Sequence, residues 1–140
     1  MDPLSVAASI VGILGAAGKV IEILGPVVSA LKDAKSPATI YSEVNNSRII
    51  LSALQTFLNN LNTASRKRTA LIQIDQLVAV LTDGVILFSE LEALVLPLGT
   101  SEHFRSRIQW ARRERTFASL LSRLQGFKSS ISLMLNILQW

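Results

Sequence analysis

Cysteine is absent from this 140-residue chain. That excludes a disulfide frame, a thiolate metal site and a cysteine nucleophile, and it fits a cytosolic chain. Histidine occurs once, at His103, so no histidine pair is available to hold a metal. Charged residues make up 17% of the chain, below the usual quarter, while hydrophobic residues reach 49%. Such a composition excludes intrinsic disorder. Strand patterns are missing as well. Apolar clusters such as Val85-Ile86-Leu87-Phe88 sit inside longer helical periods, and length decides for helix.

Catalytic constellations are missing too. Glu90 and Glu92 are two residues apart, which sends them to different sides of a helix. Asp83 and Glu90 share a face, as a solvated acidic face would. Gly12, Gly15 and Gly18 follow no strand and precede no Gly-Lys-Ser/Thr, so they form no phosphate loop. The expectation is a chain that is not an enzyme and that carries no metal and no cofactor.

What the chain does have is an unusual opening. Ser5 to Gly18 runs without a charge, Lys19 and Glu22 interrupt, and Ile23 to Leu31 is uncharged again. Leu4, Val11, Leu14, Ile21 and Val28 share one helical face. Val6, Ile10, Ile13, Ala17, Val20 and Leu24 share another. A helix that is apolar on every side is either buried all round or made for lipid. Ala8, Gly12 and Ala16 recur at four-residue intervals, with Gly15 beside them, the small-residue pattern that lets helices approach closely in membranes. A secretory signal needs a basic start, and the only charge before the run is Asp2.

Four helices are predicted, and no strand. Asp2-Pro3 starts the first, which runs to Leu24. Gly25-Pro26 is a helix-end signal followed by a helix start, so the chain kinks or breaks there, and a short helix continues to Ala34. Ser36-Pro37 starts the second, with a seam of Ile40, Val44, Ser47, Leu51, Leu54, Leu58 and Leu61. The third has Leu71, Ile74, Val78, Leu81, Val85, Phe88, Leu91 and Val95, widened by Leu77, Ile86, Leu87 and Leu94. Gly84 inside it costs about 1 kcal/mol relative to Ala and signals a close approach. Pro97 and Gly99 stop it. The last helix starts at Thr100 or Ser101 and is predicted to span ~35 residues, or ~50 Å. Its seam is Phe117, Leu120, Leu121, Leu124, Phe127, Ile131, Met134, Leu135 and Leu138. It runs to Trp140 without a stop signal, so more chain is expected after it. Short connections predict an antiparallel helical bundle in a single domain spanning 1–140.

Net charge is +4 but unevenly placed: zero over residues 1–35, +3 over 36–68, −4 over 69–99 and +5 over 100–140. Arg66, Lys67 and Arg68 make a basic loop tip, and Arg112 and Arg113 lie in the basic start of the last helix. Both clusters are candidate contacts for anionic lipid. An acidic helix precedes the basic one, so internal pairing is expected and nucleic acid is not an expected partner. Two functions stay open on the residues alone. One is a membrane-active bundle whose first helix moves into lipid. The other is a signalling or scaffolding module that assembles through helix faces.

Met1-Asp2-Pro3-Leu4-Ser5-Val6-Ala7-Ala8-Ser9-Ile10-Val11-Gly12 resembles the start of the fungal HeLo-like domain, the N-terminal domain of many fungal NOD-like (STAND-type) receptors. Trp110-Ala111 with Glu114, Leu120-Leu121-Ser122-Arg123-Leu124 and Lys128-Ser129-Ser130-Ile131-Ser132-Leu133 extend the resemblance. It implies an all-α bundle akin to HeLo cell-death domains, with nucleotide-binding and repeat domains downstream in the same chain. It also implies a cytoplasmic resting state and a cell-death role. On oligomerisation the first helix would be released to perturb the plasma membrane. Carried onto this chain, the membrane-targeting helix is Leu4 to Leu24, with Leu4, Val6, Ala8, Ile10, Val11, Gly12, Ile13, Leu14, Gly15 and Ala16 as its contacts. The alternative is a non-membrane oligomerisation module of a STAND receptor. The uncharged run from Pro3 to Gly18 is 16 residues, or ~24 Å against a hydrocarbon core of ~30 Å. Shallow or oligomeric insertion stays open, and Lys19 can snorkel to an interface.

Overall fold

Apolar side chains at alternating steps of three and four become helices throughout the residues that a computed structural model describes, namely 3–31, 35–60, 74–100, 108 and 110–139. The long elements are α1 (Pro3–Ala30), α2 (Lys35–Asn59), α3 (Ile74–Val95) and α4 (Glu114–Gln139). A short 3-10 helix (Leu96–Thr100) follows α3. No strand occurs among the described residues. The predicted all-α class with four main helices is what is seen.

α1 packs along α2 and α3 and against the 3-10 helix, while α4 packs along α2 and α3. The core is made where these faces meet: Ile10, Ile13 and Leu24 from α1, Leu51 and Leu54 from α2, Phe88 and Leu91 from α3, Phe117 and Leu124 from α4. Phe88 and Phe127 meet edge to face with ring centroids 5.7 Å apart and planes at 71°, the geometry aromatic quadrupoles favour. Ser47 keeps its place in the α2 seam and is fully buried, with no hydrogen-bond partner for its hydroxyl.

Three expectations are corrected. First, of the two outcomes left open at Gly25-Pro26, a break is excluded, and the helix boundary expected at Leu24 is not there. α1 is one helix of 28 residues with Pro26 inside it. Proline cannot donate to the carbonyl four residues back, and its ring disfavours a helical residue before it through a clash with that residue's Cβ. Gly25 has no Cβ, so that clash is removed. Val20, Leu24, Val27 and Leu31 form an unbroken buried seam across the site, and the Leu31 N–H donates to the Val27 carbonyl at 2.8 Å. Packing on both sides of the proline outweighs one missing bond.

Second, the last helix is interrupted at Arg113: α4 has 26 residues, while residues 101–107, where the helix was predicted to begin, lie outside the described residues. Residues 110–112 are helical, but a tighter turn intervenes, in which the Arg113 N–H donates to the Trp110 carbonyl at 3.0 Å. That turn goes with a parallel stack of Trp110 on Phe117, with centroids 3.9 Å apart and planes at 9°.

Third, Val85 and Ile86 are exposed, not part of the buried face of α3. The buried line runs Leu77, Leu81, Gly84, Phe88, Leu91 and Val95. Gly84 takes the centre because two other helices converge on it. A Cβ there would lie 2.5 Å from Phe127 Cε2 and 3.0 Å from Ile13 Cδ1. The close approach expected at Gly84 is therefore present.

Candidate functional site

α1 places its side chains on two unlike faces. Val6, Ile10, Ile13, Ala17, Val20 and Leu24 are all buried. Turned away from them are Ala7, Ala8, Val11, Gly12 and Gly15, all exposed. Val11 is 57% exposed. A Cβ added to Gly12, Gly15, Gly18 or Gly25 would meet nothing within 4 Å. The glycines of α1 therefore do not serve close packing among the described residues. They open a shallow, uncharged surface to the outside.

Of the ten positions expected to contact lipid, four lie on this outer face: Ala8, Val11, Gly12 and Gly15. Leu14 and Ala16 flank it, half-buried, and Val6, Ile10 and Ile13 face the core. The side chain of Leu4 lies outside the described residues. Sequence periodicity grouped Val6, Ile10, Ile13, Ala17, Val20 and Leu24 on one face, but it could not say that this face is the inner one, because the opposite side is apolar too. The two charges of α1 could have done so. Lys19 and Glu22 are both exposed, and stepping back from them by three or four residues reaches Gly18, Gly15, Gly12, Val11 and Ala8.

The fold also extends the apolar helix beyond its predicted end at Leu24. Because α1 runs through Pro26, the stretch Val6–Ala30 is 25 residues, long and apolar enough to cross a membrane by length and composition. Only 28% of it is buried. The 28 helical residues extend ~42 Å, beyond the ~30 Å of a hydrocarbon core. Lys19 and Glu22 remain inside this stretch, both exposed, so the uncharged run itself still spans ~24 Å.

The basic candidates separate as well. Arg66, Lys67 and Arg68 lie outside the described residues. Arg112 is exposed. Arg113 is half-buried, and its Nη1 donates to the Leu94 carbonyl at 3.2 Å. That carbonyl belongs to the last turn of α3, where cations complement unsatisfied acceptors and the helix dipole. Elsewhere the basic last segment pairs internally. Arg123 Nη1 meets Glu90 Oε2 at 2.5 Å and Lys128 Nζ meets Glu43 Oε2 at 2.6 Å. The expected pairing of the basic helix with the acidic one is realised at Arg123–Glu90. Among the described residues no cluster of three or more His, Cys, Asp or Glu side chains could hold a metal.

No family model, no curated protein and no solved structure matches this chain.

Proposed function

We propose that this chain is the cell-death effector domain of a fungal NOD-like receptor, acting through the outer face of α1. It is a HeLo-like antiparallel four-helix bundle, cytoplasmic at rest. On activation it gathers into a homo-oligomer at the plasma membrane, and α1 exchanges water or protein contacts for lipid. Nucleotide-binding and repeat domains of the same receptor supply the trigger.

One observation carries this reading. The exposed face of α1 is uncharged from Ala7 to Gly18 and lined by small residues that nothing among the described residues covers. Soluble proteins rarely leave such a face open without a partner. Arg112, and Arg66 to Arg68, favour an anionic leaflet. A second reading, a helical module that assembles without lipid, draws on Leu133 and Ile137, exposed apolar side chains on α4.

The test is leakage of anionic liposomes by the 140-residue chain. Removing residues 1–24 would also remove six buried core side chains from Val6 to Leu24, so a substitution on the outer face is the usable variant. Gly12→Glu meets open space and should leave the helical circular dichroism unchanged while stopping leakage and membrane association. A folded Gly12→Glu chain that leaks as the parent does would overturn the membrane reading.

A further inference from the structure

We propose that Leu133 and Ile137 on α4 of one copy seat on the small-residue face of α1 of a second copy, with the two helices antiparallel. Leu133 is 61% exposed and Ile137 is 48% exposed, and they lie four residues apart on one face. Ala8 and Gly12 lie four residues apart on the outer face of α1, with open space above Gly12. Large side chains at one spacing meet small ones at the same spacing, as ridges meet grooves in helix packing.

Charge chooses the direction. Gly12 to Glu22 is ten residues, and so is Arg123 to Leu133. An antiparallel alignment that sets Leu133 on Gly12 and Ile137 on Ala8 therefore sets Arg123 opposite Glu22. Both are exposed. Arg123 uses Nη1 for Glu90, and a guanidinium has further donors for a second carboxylate. The parallel alignment carries Glu22 beyond Gln139, the last described residue of α4, so no described basic residue meets it. Lys19 falls opposite Gly126, whose own surroundings are open.

α1 and α4 each pack along α2 and α3 rather than along one another, so the two faces look in different directions. Such a contact is head-to-tail and leaves one free face of each kind, giving rings or open rows. A single helix pair of this length falls below ~1,200 Å² of buried surface, the small, transient class. It forms when copies are concentrated. Lipid and α4 compete for the same α1 face, so this contact belongs to assembly before insertion and is given up when α1 enters lipid. The contact presupposes the proposed function only in linking assembly to the membrane.

The chain has no cysteine, so disulfide trapping reads cleanly. Gly15→Cys and Ser130→Cys chains, whose positions face each other in this alignment, are mixed and oxidised without lipid. They should cross-link about tenfold more than Gly15→Cys with an Ala53→Cys control on exposed α2. Leu133→Ser in the Ser130→Cys chain should lower the yield about tenfold. Glu22→Arg should also lower it, and Arg123→Glu in the partner should restore it. Circular dichroism checks that each variant is folded. Yields equal to the control, or no restoration by the charge swap, would overturn the contact. Leakage stopped by Gly12→Glu alongside absent cross-linking would overturn the contact while leaving the membrane reading in place.

Discussion

Gly84 and Gly12 are both glycines in the middle of long helices, and they do opposite things. Gly84 on α3 lets Phe127 and Ile13 close on a helix backbone, where a Cβ would come within 2.5 Å of the phenyl ring. Gly12 on α1 meets nothing within 4 Å. Glycine in a helix interior costs about 0.5–1 kcal/mol relative to alanine. At Gly84 tight packing across three helices offsets that cost. At Gly12, Gly15 and Gly18 no contact among the described residues offsets it. A cost without an internal return is expected where a residue serves a surface rather than a core.

Stability measurements can break or sharpen this contrast between inner and outer positions. The largest effect should come from Ile13→Ala, which empties a fully buried site and should lower the unfolding free energy by about 2–5 kcal/mol. Val11→Ala, two residues away on the exposed face, should change it by less than ~0.5 kcal/mol. Equal losses at the two positions would mean that α1 is buried on both sides. Next, Gly84→Ala should destabilise by about 1–3 kcal/mol through overpacking, although alanine is the better helix former. Phe127→Leu should relieve part of that loss in the double variant, read by denaturant unfolding.

Smaller effects should run the other way. Ser47→Ala removes a buried hydroxyl that has no partner and should stabilise by about 1 kcal/mol, visible as a higher urea midpoint at unchanged slope. Gly12→Ala should raise stability by about 0.5–1 kcal/mol in the absence of lipid, because nothing opposes the added methyl group. A loss there would show that the outer face is packed. The smallest effect should be Arg123→Ala. Its pair with Glu90 is about half exposed on both sides, so the change should stay within ~1 kcal/mol and shrink further with added salt.

Most of the fold was legible in the seams. Ile40, Val44, Ser47, Leu51 and Leu54 on α2 are all buried, as are Phe117, Leu120, Leu124, Phe127, Ile131 and Met134 on α4. Leu61, Leu71 and Leu138 lie outside the residues whose side chains are described. Errors arose where two local rules competed. Gly25-Pro26 carries a stop signal, but its strength depends on whether the flanking turns have something to pack against, which local sequence does not state. At Val85 the larger residue looked like the core position. Its smaller neighbour was chosen by two distant side chains, Ile13 and Phe127. The buried face of α1 was legible as a group, Val6, Ile10, Ile13, Ala17, Val20 and Leu24, but which face turns inward was hidden because hydrophobicity does not distinguish them. Lys19 and Glu22 mark the outer face and were the legible clue.

The central claim is that the face of α1 bearing Val11, and no other surface of the bundle, enters lipid. Single-cysteine labelling measures this directly in a chain without native cysteine. An environment-sensitive fluorophore on Val11→Cys is compared with one on Ala53→Cys, an exposed site on α2, while anionic vesicles leak. Lipid-borne quenchers placed within the acyl chains should quench the label at position 11 and leave the label at position 53 in water. A label at position 11 that stays accessible to aqueous quenchers while the vesicles leak would contradict the account.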